Sequence, residues 1–469
     1  MEYKTTFFIK ALTRKGLMAI GSLSFLALQS CGDFVDIDPP NNQLTGTLVF
    51  QDAGTVDAAL ANVYAQLREN AFTTGSISGI SYLMGHYADE LELYSNTLPG
   101  VQSFSTGKVP SSDSSVELLW DESYELLYAV NDILEGVANS NGLSDSDVDR
   151  FRGEALFVRA FVHFHLMNLF GEVPYVRSTD YRVNSTIGRT NVKTLYMWMV
   201  EDLENSKKLL APSLGDRDNF RPNYDVVTAF LARVHLYQGA WSDAVAEASD
   251  VLEGTDYQLN VDLIQVFTRE SPETLWQLDP GISGNNTKEG MTFIFSSGPP
   301  PNSSLSETLV EGFETGDGRW ASWVGSVMDG DQAWYFPNKY KLNGTTSVTE
   351  ECSILLRLSE LYLIVAEAHA QLGDNALALE HLNAIRERAG LAPLGGISGE
   401  ALLDAIFQER RIELFSEQGH RFFDLKRSGR ATSVLPLLKL DWGPSALRLP
   451  IPQAELLLNP NLEPQNEGY

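Results

Sequence analysis

The densest group of side chains able to do chemistry lies near the C-terminus, where Glu409, Glu413, Glu417, His420 and Asp424 follow one another closely. Paired carboxyl groups on either side of a sugar are the machinery of a glycosidase, so a surface glycoside hydrolase is one reading. Their spacing favours another. Glu409 and Glu413 lie one helical turn apart beside Arg410 and Arg411, while Arg421 and Asp424 follow the helix-breaking Gly419. Opposite charges can then pair across helices, which makes an ion-pair network the expectation and leaves no residue assigned to catalysis. Metal chemistry is no better supported. His163 and His165 are two apart in a helical segment and face different ways. Asp145, Asp147 and Asp149 begin like a calcium loop, but Arg150 replaces the required glycine and Leu156 the closing glutamate, so helix capping explains them. No glycine loop for phosphates and no activated nucleophile stands out. The expectation is a protein without a metal or cofactor and without enzymatic activity.

Cys31 offers a different chemistry. Lys4, Lys10, Arg14 and Lys15 precede an uncharged run whose apolar heart, Leu17 to Leu28, is twelve residues long. A spanning helix needs about 20, so the segment reads as an export signal covering residues 1–30. Its ending, Leu28-Gln29-Ser30-Cys31, resembles a bacterial lipoprotein processing box. Cleavage there would leave Cys31 as the new N-terminus, lipidated on sulfur and anchored in a membrane by its acyl chains. The alternative is an ordinary secretory signal with a cysteine nearby. Cys31→Ala, or Ser30→Phe before it, should abolish membrane partitioning. Residues 31–47 read as a tether, with Pro39-Pro40 holding extended backbone among acidic and polar side chains.

Charge narrows the partners. The chain carries a formal −28, and losing four basic and one acidic side chain with residues 1–30 takes the mature protein to −31. Such a surface repels nucleic acid and anionic lipid head groups. Cys352 has no cysteine partner once Cys31 is lipidated, so a core drawn from the 43% hydrophobic residues must stabilise the fold without a disulfide.

The elements that must position any site are mainly helices. Apolar spacing predicts them at about 53–68, 116–138, 146–169, 192–210, 224–237, 242–252, 354–372, 375–389 and 399–416. Two stretches repeat in register: Ala232, Gly239, Ala244 and Val251 share their intervals with Ala366, Gly373, Ala378 and Ile385. A helix, a tight glycine turn and a second closely packed helix explain both, as in tetratricopeptide repeats. Between the copies, about 255–351, helical periodicity fails and four of the eight tryptophans appear: Trp276, Trp320, Trp323 and Trp334. A second irregular stretch, about 72–115, carries Tyr82, His86, Tyr87, Tyr94 and Phe104. A long structureless segment in a compact protein is usually functional or disordered, and this density of aromatic rings argues against disorder. Trp276 sits in a strand-like context, and Trp120, Trp198 and Trp241 on helical stripes, all of which favour the core.

Several segments together resemble the SusD/RagB family of outer-membrane nutrient-binding lipoproteins. They are Cys31-Gly32-Asp33-Phe34, the helix Arg152 to Phe161, Leu169-Phe170-Gly171-Glu172-Val173-Pro174-Tyr175, Leu355 to Leu363, Glu409-Arg410-Arg411-Ile412-Glu413-Leu414, Gly419-His420-Arg421-Phe422-Phe423-Asp424-Leu425, Pro450-Ile451-Pro452 and Asn459-Pro460-Asn461-Leu462. The order spans the mature chain. Gln418 departs from the pattern by inserting a residue between Glu417 and Gly419. The resemblance implies a single mainly α domain over residues 48–469, with tetratricopeptide-like helical hairpins forming an α-solenoid packed against irregular ligand-binding loops and minor β structure. It implies capture of an oligo- or polysaccharide and delivery to a SusC-like TonB-dependent transporter, from the outer face of the outer membrane. A peptide-binding role like that of RagB is the alternative. Because the family's ligand loops fall in these irregular regions, the resemblance points first to Trp320, Trp323, Trp334 and Tyr335 with Asp317, Arg319 and Asp331, and second to Tyr94, Asn96 and Phe104. Core packing is the alternative for Trp320 and Trp323: replacing both by alanine should remove binding with little change in melting temperature, whereas a large loss of stability would favour the core.

Overall fold

The computed structural model of the protein describes residues 49–95, 97–211, 219–439 and 441–469. Cys31, the tether and Asn96 lie outside the described residues. From Val49 onward the chain forms one compact unit. It is mainly helical, built from α1 (Ala53–Glu69), α2 (Ile80–Tyr87), β1 (Leu91–Leu93), α3 (Pro99–Thr106), α4 (Ser114–Ala138), α5 (Asp145–Phe170), α6 (Val192–Leu209), α7 (Tyr224–Gln238), α8 (Trp241–Leu252), β2 (Thr274–Leu278), β3 (Ser303–Leu305), β4 (Val324–Asp329), β5 (Gln332–Pro337), β6 (Ser353–Arg357), α9 (Leu358–Leu372), α10 (Asn375–Arg388), α11 (Glu400–Glu413) and α12 (His420–Arg427). Among the described residues, no helix is long and apolar enough to cross a membrane.

Local chemistry sets the helix starts. Asp52, Asp113, Ser144, Asn191 and Asn223 each accept a hydrogen bond from a backbone N–H in the first turn of α1, α4, α5, α6 and α7. Ser144 thereby caps the helix whose first turn holds Asp145 and Asp147, so those acids do serve the helix terminus. Helix α5 is buried on all sides from Gly153 to Phe170, including the polar Glu154, Arg159 and Asn168, as a central helix must be. Its Phe157 and Phe161 rings meet the Trp276 indole edge-on at 5.1 Å, which places Trp276 in the core. His163 and His165 are buried here, each bonded through Nδ1 to the carbonyl four residues earlier. Burial pushes both down to about 3, which keeps them neutral.

The repeats fold as their spacing predicts. Gly239 and Gly373 take the left-handed conformation, at φ +73° and +88°, that ends α7 and α9 and starts the return helices α8 and α10. Ala232, Ala244, Ala366 and Ala378 are fully buried where the helices meet. The copies are far apart in sequence, yet α8 packs directly on α9, so the solenoid continues across the long insertion.

Among the described residues, three short antiparallel sheets interrupt this body: β1 with β3, β2 with β6, and β4 with β5. Two expectations are corrected. The segment read as one helix from Ile354 begins as strand β6, pairing Leu356 with Trp276 and Ile354 with Gln277, and turns helical only at Leu358. A short apolar run buried on both faces carries no periodicity to separate strand from helix. The stretch at 72–115 is not irregular throughout, since it contains α2 and α3, each eight residues long and too short for a clear pattern. At the C-terminal departure, Ser416 and Gln418 have φ of +57° and +44°, and the Gln418 N–H donates to Ser81 Oγ at 3.0 Å. The extra residue is absorbed by a left-handed turn.

Candidate functional site

The β4–β5 hairpin presents the most prominent rings of the insertion. Its two-residue connection is Gly330-Asp331, and φ of +60° at Gly330 suits a turn with glycine at its first central position. Side chains alternate along β5, so Trp334 and Tyr335 emerge on opposite faces. On one face Trp334 meets Tyr94 edge-on, with ring centroids 4.8 Å apart at 85°. Tyr94 is 40% exposed and donates its hydroxyl to Glu92 Oε2 at 3.0 Å, while its backbone N–H donates to the Asn302 carbonyl. Gly298 lies so close that a Cβ there would sit 2.6 Å from Trp334 Cδ1. On the other face Tyr335 packs 5.1 Å from Trp320, which also meets Phe313 at 5.4 Å. Trp320, Trp334 and Tyr335 are all half-buried.

Four of the residues expected to touch ligand lie inside the protein. Trp323 is fully buried, its indole N–H donates to the Leu263 carbonyl at 2.8 Å, and the ring is covered by Phe267 and the Lys339 ammonium. Phe104 is also fully buried, edge-on to Tyr87. Asp317 caps the short helix Gly318–Trp323 and pairs with Arg319, and both are buried. None of these groups has a face open to a ligand. The proposed double substitution of Trp320 and Trp323 therefore cannot leave stability unchanged, since emptying a core tryptophan site costs roughly 3–5 kcal/mol. Asp331 remains exposed at the hairpin turn. Phe313 and Gly298 were absent from the expected set; the rigid run Gly298-Pro299-Pro300-Pro301 is the signal that marks the second.

The acidic C-terminal block forms ion pairs. Arg319 reaches Glu409 at 2.7 Å and Glu413 at 3.0 Å; Arg357 reaches Glu413, Glu417 and Glu273; Arg388 reaches Glu273 and Glu413; and Lys339 reaches Glu417. Arg410 and Arg427 share Asp424. Although burial opposes ionisation, the surrounding guanidinium groups hold Glu413 far below the usual carboxylate range and lower Glu417 and Asp424 as well. These pairs hold the insertion in place: Glu273, Arg319 and Lys339 belong to it, and their partners outside it lie on or beside β6, α10 and α11. The network fixes the base on which the hairpin stands. Among the described residues, no group of three or more His, Cys, Asp or Glu side chains could hold a metal ion. Cys352 is buried, and its thiol is pushed up to about 12 by desolvation.

The sequence model of the SusD family matches residues 314–437, and one described as starch-binding and associating with the outer membrane matches residues 33–236. Two SusD-like proteins of Formosa agariphila are 24% and 26% identical, over 94% and 100% of this chain and 97% and 100% of their own lengths. A SusD superfamily structure from Bacteroides vulgatus aligns with a TM-score of 0.76 at 20% identity, covering 90% of this chain and all of that one (100%). A laminarin-binding SusD-like protein aligns at 0.72 with 23% identity, over 89% and 99% of the two chains. Surface glycan-binding protein A of Bacteroides thetaiotaomicron aligns at 0.74 with 20% identity, over 89% and 100%. At these identities the structural likeness is one of fold.

Proposed function

The chain belongs to the SusD-like family, and from that premise we propose that it is a cell-surface lipoprotein that captures a glycan and passes it to a SusC-like TonB-dependent transporter. The observation that carries this reading is the β4–β5 hairpin, which seats half-buried aromatic rings on both of its faces. Rings held this way keep a stacking surface while losing little freedom on binding, as a sugar site requires. The laminarin-binding and surface glycan-binding neighbours support a carbohydrate as the ligand. Acylation at Cys31 would keep the protein at the outer membrane, and residues 31–47 would give it reach toward the transporter.

The test is a binding panel of laminarin, other soluble glycans and mixed oligopeptides, with Trp334→Ala and Trp320→Ala as the variants. Each variant should weaken glycan binding by roughly ten- to hundredfold, the loss of one stacked ring, while the protein stays folded at working temperature. Binding of oligopeptides but not glycans would replace this reading with the peptide-binding one, and release of shortened sugars during incubation would turn it toward a hydrolase.

A further inference from the structure

Formal charges around the rings are segregated by sign. In segments 91–95 and 303–337, Glu92, Glu307, Glu311, Asp329 and Asp331 are exposed, and none of them forms an ion pair with another described residue. The single cation of those segments, Arg319, is 1% exposed and taken by Asp317, Glu409 and Glu413. Three lysines close by also turn inward. Lys339 meets Glu417 at 2.5 Å, Lys341 donates to the carbonyls of Ser322 and Asn338, and Lys439 donates to those of His86 and Ser105 at 2.6 and 2.8 Å. Two of the exposed acids flank the Trp334–Tyr94 pair directly. Glu92 accepts the Tyr94 hydroxyl, and the same Cβ at Gly298 that would strike Trp334 would come within 2.8 Å of Asp329 Cβ.

Resting on the glycan reading above, we infer that this site selects uncharged glycans and rejects those carrying uronate or sulfate groups. Ionised carboxylates only accept hydrogen bonds, and sugar hydroxyls supply the donors they need. A uronate or sulfate on the ligand supplies no donor there. It would come within a Debye length, about 8 Å at physiological salt, of like charges at Glu92 and Asp329, while Arg319, Lys339, Lys341 and Lys439 are engaged elsewhere. Residues 303–337 thus bring stacking surface and hydrogen-bond acceptors to the ligand while spending their only positive charge inside.

The experiment compares neutral polymers with charged counterparts on the same backbone: laminarin with laminarin sulfate, hydroxyethylcellulose with carboxymethylcellulose, and methyl-esterified pectin with polygalacturonate. Affinities of the full-length protein would be read by calorimetry and affinity gels, in EDTA, at low and high salt. For whichever backbone binds, the charged member should bind at least about tenfold more weakly at low salt, with the gap narrowing as salt screens the repulsion. Steric interference by the added groups would be insensitive to salt. The triple variant Glu92→Lys, Asp329→Lys, Asp331→Lys should close the gap between members of a pair, whatever it does to the neutral affinity itself. Equal or tighter binding of the charged member by the native protein, or a gap that neither salt nor the triple variant changes, would overturn the inference. Failure of every polymer to bind would instead overturn the glycan reading.

Discussion

Two adjacent acids, Asp89 and Glu90, show how closely position decides the state of a carboxyl group. Asp89 is held by Arg421 at 2.7 Å and Arg411 at 2.9 Å, and its carboxyl stays below the usual range. Glu90 is equally buried but receives only the Ser416 N–H, at 3.3 Å to each oxygen. Desolvation, with Asp89 alongside, raises it from 4.5 to about 8, so it is a neutral acid at physiological pH. The folded protein therefore binds a proton that the unfolded chain has lost between pH 4.5 and 8. Its contribution to stability is fully present below about 4.5 and disappears as pH rises toward 8. Glu90→Gln keeps the neutral shape at every pH, so its melting temperature should gain on the native protein steadily from pH 5 to pH 8. The matching gain in stability should reach the order of a few kcal/mol at the upper end. Thermal melts at three pH values suffice to check it, and a difference that stays constant with pH would show that Glu90 is not the titrating group.

Among the elements, the hairpin depends on one backbone conformation. Gly330 turns the chain at φ +60°, where a β-branched side chain costs about 1–2 kcal/mol. Gly330→Val should loosen the β4–β5 register and with it the opposite-face placement of Trp334 and Tyr335. The expected result is a fall in glycan affinity with a small drop in melting temperature, whereas Gly344→Val, in open space and without a left-handed φ, should change neither. Unchanged affinity in Gly330→Val would mean that the hairpin does not position the ligand. The hairpin also marks where reading from sequence alone reaches its limit. The helical repeats were legible because close packing demands small residues at fixed intervals and the turn demands glycine, so Ala232, Gly239 and Ala244 announce their counterparts Ala366, Gly373 and Ala378. Strand β6 was not, because Ile354-Leu355-Leu356 is apolar without alternation. The site was half legible for a similar reason. Trp320 and Trp323 occupy one six-residue helix, and no sequence pattern tells which indole turns to the hairpin and which fills the core beneath Lys339. Exposure of a ring depends on what the distant Leu263, Phe267 and Phe313 do, and those contacts exist only once the insertion has folded onto α11.

On the scale of the whole molecule, charge pairs join elements that the sequence separates, and they should make the fold sensitive to acid. Arg233 on α7 and Glu360 on α9 meet at 2.5 Å across the two repeats, nearly without exposure. Burial works against Glu360, but Arg233 outweighs it and lowers the carboxyl to about 2. Here the sign is opposite to that of Glu90. The folded value lies below the unfolded one, so the stabilisation is present above pH 4.5 and is lost as pH falls toward 2. Glu413, Glu417 and Asp424 are lowered in the same direction, so the insertion and the solenoid should lose their links over one acid range. Removing one partner leaves a buried charge alone, whereas replacing both with apolar groups removes the desolvation cost as well. Glu360→Leu alone should therefore cost roughly 3–5 kcal/mol at pH 7, and Arg233→Met with Glu360→Leu should recover most of that loss. The double variant should also show a shallower fall in melting temperature between pH 5 and pH 2 than the native protein, because one of the titrating links is gone. If the double variant is as unstable at pH 7 as the single one, packing between α7 and α9, with the Arg233 bond to the Leu355 carbonyl, holds the repeats together and the ion pair does not.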